Sequence, residues 1–285
     1  AELLSMKIIS SAEQMQRIAQ EWRASGTEVA MVPTMGALHA GHLSLMHTAR
    51  KKADVVVVTL FVNPTQFGKN EDFSTYPRCF DEDCEQCRLA GVDVLFVPAA
   101  SDIYADDAST WVYEEVLSDG LCGQSRPGHF QGVCTVVLKL CHIVAPHYAI
   151  FGEKDVQQVR VIERMVRDFF LPVSIVRAPT IRECDGLAMS SRNRYLSASE
   201  RRIAPLIFQA LSEAKALFET GQRSANELIA QVERILEKEP AITIDYLQVV
   251  DEKRLQSVSQ IIEPSILMGA FLIQDVRLID HVSLI

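Results

Sequence analysis

Apolar residues in the first part of the chain recur with the periods expected of alternating strands and helices. Val29–Val32 and Val55–Val62 are short apolar runs, typical of strands buried on both faces of a sheet. Between these runs, Leu43, Met46 and Ala49 recur at helical spacing. The pattern predicts a strand, a helix and a second strand parallel to the first.

The same alternation continues toward residue 180. Further strands are predicted at Val92–Val97, His147–Phe151 and Val173–Val176, with a short one at Trp111–Val116. Helices are predicted at Ala12–Ser25 (opened by a capping box of Ser10 with Glu13), Asp81–Ala90, Val133–Val144 and from about Gln157 to Phe169, with an irregular segment at Leu121–Gly132. This rhythm predicts a doubly wound, Rossmann-like α/β fold with a parallel sheet.

The pattern changes after about residue 184. Capping signals predict one helix from Ser197 to Thr220, with a kink at Pro205, and another from Ser224 to Lys238. Ile242–Val250 and Ala270–Ile279 alternate apolar and polar residues, as half-exposed antiparallel strands do. We therefore expect a Rossmann-like nucleotide-binding domain at residues 1–183 and a smaller α+β lid domain at residues 184–285.

Charge and composition narrow the class of protein. The 285 residues carry a formal net charge of −9, which argues against non-specific binding to nucleic acid or to an anionic membrane. The apolar runs fall well short of the roughly 20 residues that span a bilayer. The first residues predict no signal peptide, and we take Met6 as the candidate native start.

The seven cysteines form an odd set without the spacing of a small secreted scaffold, so we expect the reducing cytoplasm. Cys84 and Cys87 form a C-x-x-C motif inside a polar helical stretch. A zinc site lacks a second nearby pair, and a redox motif would lie at a helix start just after a strand. We therefore interpret these cysteines as packing residues.

Candidate chemistry lies where the predicted strands end. His39 and His42 stand three apart at the start of the first central helix, where unpaired backbone N–H groups and the helix dipole favour phosphate. Asn63 and Gln66 follow the next strand and should open onto the same crevice. Lys154 lies at a second strand-to-helix turn, and it is our strongest candidate for a charge on a transferring phosphate.

Two polar loops could add anion-binding groups. One carries Arg126 and His129, and the other carries Ser190, Ser191 and Arg192. Hydroxyls and guanidinium groups supply charge-assisted hydrogen bonds to phosphate. No G-x-G-x-x-G motif with a following acidic residue is present, which argues against a dinucleotide. The donors favour attack on a phosphorus of ATP, and adenylyl transfer fits better than hydrolysis.

Several motifs carry a family resemblance. They are P-T-M-G-A-L-H-A-G-H (Pro33–His42), F-V-N-P-T-Q-F (Phe61–Phe67), Y-P-R (Tyr76–Arg78), R-P-G-H-F (Arg126–Phe130), G-E-K-D-V-Q-Q (Gly152–Gln158) and D-G-L-A-M-S-S-R-N (Asp185–Asn193). Together they resemble the pantoate beta-alanine ligase family of the H-x-G-H nucleotidylyl transferases. The resemblance implies that pantoate attacks the α-phosphorus of ATP, releasing pyrophosphate, and that beta-alanine then attacks pantoyl adenylate, releasing AMP and giving pantothenate.

The resemblance implies that the domain at residues 1–183 binds pantoate as well as the nucleotide, and it also implies roles for individual residues. His39, His42 and Lys154 would act in catalysis, with His42 as the proton donor. The ATP site would comprise Met35, Gly36, Ala37, Leu38, His39, Ala40, Gly41, His42, Gly152, Glu153, Lys154, Asp155, Ile181, Met189, Ser190, Ser191 and Arg192. Gln66 and Gln158 would bind pantoate, with Gln66 also near beta-alanine, and Asn63, Arg126 and His129 are weaker substrate-binding candidates.

Cofactors and partners follow from the same resemblance. ATP is a substrate with Mg²⁺ carried on its phosphates, no tightly bound cofactor is expected, and the sequence offers no metal cage built from protein side chains alone. The family implies a homodimer, whereas the cysteines predict a cytoplasmic protein and the net charge predicts one that binds neither nucleic acid nor membrane. Thr65 and Val156 stand where the family usually has a methionine and an aromatic residue, which leaves the shape of the acid pocket open.

Two other functions remain open at the level of sequence. Another H-x-G-H adenylyl-transferring enzyme would act on a different carboxylic acid. Such enzymes include aminoacyl-tRNA synthetases, whose second motif resembles Met189–Arg192, although the acidic balance argues against tRNA. A nucleotide-binding regulator without catalysis is the alternative from another class. Formation of AMP from ATP, pantoate and beta-alanine would distinguish all three.

Overall fold

The computed structural model describes residues 6–285. The predictions about a signal peptide and about the residues that precede Met6 fall on residues 1–5, which lie outside the described part of the chain. Within the described part, every helix is too short or too polar to cross a membrane.

Helices and strands alternate through the described residues. In the first part these are β1 (Lys7–Ile9), α1 (Ala12–Ser25), β2 (Val29–Thr34), α2 (Ala40–Arg50), β3 (Val55–Leu60), α3 (Phe80–Leu89), β4 (Val94–Phe96), α4 (Ala100–Ile103), α5 (Leu121–Ser125), α6 (His129–Val144), β5 (Tyr148–Gly152), α7 (Val156–Asp168) and β6 (Ser174–Ala178). The remainder are α8 (Ala198–Ile203), α9 (Leu206–Glu219), α10 (Ala225–Leu236), β7 (Ile242–Asp251), β8 (Ser265–Ile273) and β9 (Val276–Leu284).

The six strands β1–β6 form one parallel sheet in the order β1-β4-β3-β2-β5-β6. The chain moves outward from β2 through β3 to β4, and then returns to place β5 on the other side of β2. The strand order therefore reverses between β2 and β5, and open parallel sheets bind ligands outside the carboxyl ends of the strands at such a point. The predicted Rossmann-like fold class is confirmed.

Apolar burial explains why these strands occupy the centre of the sheet. Val29, Ala30, Met31 and Val32 are all fully buried, because helices cover both faces of a parallel sheet. Met46 and Ala49 of α2 pack on the same core. The predicted strand, helix and parallel strand are thus present, with β2 and β3 paired in parallel from Val29 with Val55 onward.

Contacts divide the chain into two compact units. The first comprises the residues up to Glu115 with Arg126–Pro179, and the second comprises Val116–Ser125 with Thr180–Ile285. The second unit has its own antiparallel sheet, β7-β8-β9, and a core formed with α9 and α10. The division into a nucleotide-binding domain and a lid domain at residue 184 stays a prediction.

Several predicted boundaries are wrong for identifiable reasons. Ser11, rather than Ser10, caps α1, because its hydroxyl accepts a hydrogen bond from the Gln14 backbone N–H. Trp111–Val116 forms neither helix nor strand, and α6 begins at His129 within the predicted irregular segment. The helix predicted up to Thr220 ends at Ile203 and resumes after Pro205.

The predicted strand Ala270–Ile279 is also wrong, since the chain turns within it. Strand β8 ends at Ile273 and β9 begins at Val276. Gln274, between them, has φ of +52°, the left-handed conformation that a tight turn requires. The adjacent polar residues Gln274 and Asp275 interrupt the apolar pattern at this turn.

Candidate active site

The two histidines of the H-x-G-H motif cap the N-terminus of α2. His39 is the residue that precedes the first helical turn, and its Nδ1 accepts a hydrogen bond from the Gly41 backbone N–H at 3.1 Å. His42 Nδ1 in turn accepts from the His39 backbone N–H at 3.3 Å. The imidazole rings lie 4.1 Å apart between centroids. The pair therefore satisfies backbone donors that a helix start leaves unpaired.

These caps determine where the imidazole protons lie. A nitrogen that accepts a hydrogen bond carries no proton, so the neutral form of each ring holds its proton on Nε2. Burial lowers the pKa of His42 well below 6.5, and the nearby His39 and Lys154 lower it further. His42 is therefore neutral at pH 7, and its Nε2–H is a hydrogen-bond donor. Each neutral ring therefore offers an Nε2–H as a hydrogen-bond donor.

Lys154 lies at the second predicted corner, where β5 passes into a 3₁₀ turn at Glu153–Asp155. Its ammonium is close enough to lower the pKa of His42. Gly152 precedes this turn, and a Cβ atom there would lie 4.0 Å from Cδ2 of Leu45 on α2. The corner after β5 and α2 are thus neighbours at the reversal of strand order, which brings Lys154 near His39 and His42.

A buried carboxylate that the sequence did not identify supports the loop between β2 and α2. Asp83 on α3 is 1% exposed, and its oxygens accept from the backbone N–H groups of Ala37 at 2.9 Å and Leu38 at 2.8 Å. Gly36 and Ala37 both have positive φ, at +81° and +50°. A Cβ atom on Gly36 would lie 2.9 Å from Asp83 Oδ2. The loop therefore depends on this carboxylate and on a glycine.

Asp83→Ala is expected to lower the free energy of unfolding by about 2–5 kcal/mol, because it leaves two buried N–H donors without their acceptor. Urea denaturation followed by circular dichroism measures this loss. Asp81→Ala is the matched control, since Asp81 lies in the same helical turn but is exposed. Equal stability of the Asp83 and Asp81 variants would contradict the support that we assign to Asp83.

The substrate-binding candidates after β3 form a second hydrogen-bonded cluster. Asn63 is 1% exposed, and its amide donates to Gln66 Oε1 at 3.0 Å and to the Gly132 carbonyl at 3.1 Å. Gln66 Nε2 approaches Met35 Sδ at 3.3 Å. Met35 belongs to the loop that leads to His39. The Gln66 amide thus reaches the same loop as the phosphate-binding candidates.

Two further groups hold Asn63 in place. Tyr104 donates its hydroxyl to Asn63 Oδ1 at 2.9 Å, and the Thr65 hydroxyl lies 2.9 Å from the same oxygen. The hydroxyl oxygens of Thr65 and Tyr104 lie 3.1 Å from each other. Tyr104 lies 41 residues away from Asn63 in sequence, and no local pattern linked it to the site. Thr65, which departs from the family pattern, is therefore an anchor for Asn63.

Arg126 and His129 lie beside Gln66. Arg126 forms an ion pair with Glu71, and one of its terminal nitrogens lies 3.2 Å from His129 Nε2. His129 Nδ1 lies 2.9 Å from the Gln66 carbonyl oxygen. Burial and the Arg126 charge lower the pKa of His129, whereas Asp155, next to Lys154, is close enough to raise it. The Gln66 cluster and the Lys154 corner are therefore close together.

The second pantoate candidate lies on α7. Gln158 is half-buried in the first turn of this helix, next to the fully buried Gln157. Val156, the other departure from the family pattern, is buried at the start of the same helix.

The remaining ATP-binding candidates belong to the second unit. The backbone N–H of Met189 donates to the Ile181 carbonyl at 3.0 Å, and Arg182 pairs with Ala188 in an antiparallel bridge. Ser190 caps the short 3₁₀ turn that follows, accepting from the Arg192 backbone N–H at 3.3 Å, and Ser191 is buried. These residues form one hairpin that leads into one turn.

The C-x-x-C cysteines are packing residues, as interpreted from the sequence. Cys84 and Cys87 are buried on α3, and burial raises the pKa of Cys87 to about 12. All seven cysteines have free thiols. Among the described residues, no group of three or more His, Cys, Asp or Glu side chains is placed to hold a metal ion.

Comparisons with known proteins agree on one family. The family model described as pantoate-beta-alanine ligase matches residues 7–283. Curated relatives named pantothenate synthetase include one from Thermotoga petrophila, 48% identical over 98% of this chain and 100% of its own length. Another, from Geobacter sulfurreducens, is 50% identical over 97% of this chain and 98% of its own length.

Solved structures agree with this assignment. The crystal structure of pantothenate synthetase from Thermus thermophilus aligns with a TM-score of 0.91 at 41% identity, covering 97% of this chain and 99% of its own. A pantoate-beta-alanine ligase from Francisella tularensis, solved with beta-gamma ATP and beta-alanine, aligns with a TM-score of 0.81 at 35% identity, covering 98% of this chain and 97% of its own. The chain belongs to the pantoate-beta-alanine ligase family.

Proposed function

We propose that this protein condenses pantoate with beta-alanine at the expense of ATP, giving pantothenate, AMP and pyrophosphate. The observation that carries the proposal is the arrangement of His39, His42 and Lys154 at the reversal of strand order between β2 and β5. Two imidazole Nε2–H donors and one ammonium form a set suited to a polyphosphate, and family membership identifies the acid and the amine.

In the first step, a carboxylate oxygen of pantoate attacks the α-phosphorus of ATP. The bond from this phosphorus to the bridging oxygen breaks, and pyrophosphate leaves with the electron pair. Negative charge grows on the phosphate oxygens and on the departing group. His42 Nε2–H and the Lys154 ammonium stabilise that charge more strongly in the transition state than in bound ATP, and this difference accelerates the step.

In the second step, the amine of beta-alanine attacks the carbonyl of pantoyl adenylate, loses a proton and expels AMP. Gln66 and Gln158 bind pantoate through their amides. Gln66 Oε1 already accepts from Asn63, so the amide faces the site in one orientation, with its NH₂ near Met35. That NH₂ is placed to donate to an oxygen of pantoate, with beta-alanine entering beside it.

Further ATP-binding residues are proposed from the family motif alone. By their match to the family motif, Ile181, Met189, Ser190, Ser191 and Arg192 bind the nucleotide. The Ser190–Arg194 region would act as a lid that keeps water from the acyl adenylate between the two steps. Mg²⁺ enters as part of the substrate, because this ion is commonly held through nucleotide phosphates and retains several waters.

Substrate omission tests the proposed function. The purified chain with ATP, Mg²⁺, pantoate and beta-alanine is expected to release AMP and pyrophosphate in equal amounts, and omission of pantoate should abolish both. Pantoate labelled with ¹⁸O in its carboxylate should transfer one label to AMP. Unlabelled AMP would exclude the adenylate route, and turnover with another acid in place of pantoate would indicate a different ligase.

Gln66→Ala is expected to raise the pantoate KM by about tenfold or more, which corresponds to the loss of about 1.4 kcal/mol of binding. The ATP KM should change by less than about twofold, because the role proposed for the Gln66 amide is to bind the acid. Steady-state kinetics with each substrate varied in turn measures both constants. Gln20→Ala, an exposed glutamine on α1, is the control. Equal increases in both constants would refute the assignment.

A homodimer in the cytoplasm is the remaining part of the proposal. Trp111 and Tyr113 lie outside helices and strands and are 43% and 61% exposed, so they offer apolar surface to a second copy. The cytoplasm supplies the ATP that the reaction consumes. Analytical ultracentrifugation of the purified chain measures the mass directly, and a species of 31.8 kDa alone would exclude the dimer.

A further inference from the structure

Glu71 lies in the loop between β3 and α3, where no motif assigned it a role. Its carboxylate forms a two-point ion pair with Arg126, with Nε at 2.6 Å from Oε1 and a terminal nitrogen at 2.8 Å from Oε2. The side chains are 25% and 12% exposed. Two-point pairs of this kind fix the orientation of the guanidinium plane as well as its position.

The oriented guanidinium also hydrogen-bonds to His129. Arg126 can only donate, so His129 Nε2, 3.2 Å away, must accept. The ring proton of neutral His129 then lies on Nδ1, where it donates to the Gln66 carbonyl oxygen at 2.9 Å. Burial and the Arg126 charge lower the pKa of His129 to about 4, which keeps the ring neutral. Each hydrogen bond between Glu71 and Gln66 therefore has a defined donor: Arg126 donates to Glu71 and to His129, and His129 donates to the Gln66 carbonyl.

Gln66 is also held from its other side. A Cβ atom added to Gly132 would lie 2.5 Å from the Thr65 carbonyl oxygen and 2.6 Å from the Gln66 nitrogen. Helix α6 thus touches the Gln66 backbone with no space for a side chain. Asn63 joins this contact by donating to both the Gly132 carbonyl and the Gln66 side chain. The position of Gln66 is therefore set both by α6 and by the hydrogen bonds that link it to Glu71.

We propose that Glu71 is a positioning residue that sets the affinity for pantoate by orienting Gln66 through Arg126 and His129. The inference rests on the proposed function, since it uses Gln66 as a pantoate ligand. It also changes the expectation for Arg126, which the sequence suggested as a substrate ligand. Its guanidinium is engaged by Glu71, His129 and the Gln66 carbonyl, so it supports the site rather than contacting the acid.

The test is Glu71→Gln, which keeps the shape of the side chain and removes its charge. The pantoate KM is expected to rise by about tenfold, with kcat and the ATP KM within about twofold of the wild type. Glu163→Gln is the matched control, because Glu163 forms the same two-point pair with Arg177, at 2.6 and 2.7 Å and with 27% exposure. This control should leave the pantoate KM unchanged.

A double-mutant cycle shows whether Glu71 acts through Arg126. In an Arg126→Ala background, Glu71→Gln is expected to raise the pantoate KM by less than about twofold further, since the connection is already broken. If Glu71→Gln does not purify as a folded protein, Arg126→Lys supplies the same readout, because lysine keeps the charge but cannot bond Glu71 at two points and His129 together.

The outcomes distinguish a failure of the proposed function from a failure of the positioning role of Glu71. A wild-type protein that forms no AMP from ATP, pantoate and beta-alanine refutes the proposed function before any variant is compared. With an active wild type, an unchanged pantoate KM in folded Glu71→Gln overturns the positioning role. A parallel rise in the ATP KM, a loss confined to kcat, or full additivity with Arg126→Ala overturns it as well.

Discussion

Lys154→Ala is expected to reduce pantoate-dependent release of pyrophosphate by about a hundred- to a thousand-fold. This is the usual cost of removing one hydrogen-bond donor that stabilises charge developing in the transition state. The residue lies at a corner after β5 and outside the apolar core, so the variant should keep its melting temperature and circular dichroism spectrum. Single-turnover measurement with saturating ATP isolates the chemical step from product release.

Two controls make this result specific. Lys52→Ala removes an exposed lysine beyond the C-terminus of α2 and should leave the rate unchanged. Lys154→Arg keeps a positive charge in a different shape, and it should recover part of the lost rate. Near-normal turnover in Lys154→Ala would remove this ammonium from the mechanism, even if ATP still binds.

His42→Asn is expected to lower the same rate by about a hundred- to a thousand-fold while preserving the helix cap. The asparagine oxygen can take the place of Nδ1 and accept the His39 backbone N–H, but no group replaces the Nε2–H donor. The measurement is single-turnover formation of pyrophosphate, with the melting temperature recorded for each variant. His42→Gln, whose amide reaches nearer to the Nε2 position, should retain more activity than His42→Asn.

The pH dependence of folding stability tests the environment of His42 independently of the kinetic measurements. The folded-state pKa of His42 lies below 6.5, so the unfolded chain takes up the proton first as pH falls through 6.5. Stability should therefore decline in that direction, and His42→Asn should reduce the decline relative to the wild type. Full activity in His42→Asn would contradict the role assigned to the Nε2–H donor. A clearly lower melting temperature of this variant would contradict the claim that the asparagine oxygen replaces Nδ1 in the cap.

The family and the fold class followed from the sequence because their signals are local. A strand, a glycine-led turn and histidines at a helix start lie within a short segment, and elementary rules of helix ends predict what such a segment binds. The motifs then identified the family, which the comparisons confirm. The capping of α2 by its own histidines refines this picture, since the sequence suggested phosphate binding but not the resulting position of the ring protons.

Residues that act from a distance could not be predicted. In the sequence, Asp83 is one of several acidic residues in the first turn of a helix. Only the packing of α3 shows that it is buried against the loop of Ala37. Glu71 and Tyr104 likewise resemble ordinary loop residues until Arg126 and Asn63 are brought beside them. Such pairs lie 41 to 55 residues apart, a separation beyond any local pattern.

The central claim is that His39, His42 and Lys154 converge on one triphosphate. A crystal structure of the protein with a non-hydrolysable ATP analogue and pantoate tests it most directly. We predict phosphate oxygens within about 2.7–3.2 Å of Nε2 of both histidines and of Lys154 Nζ, with the pantoate carboxylate facing the α-phosphorus beside Gln66. A triphosphate bound away from either imidazole or from the ammonium would contradict the account.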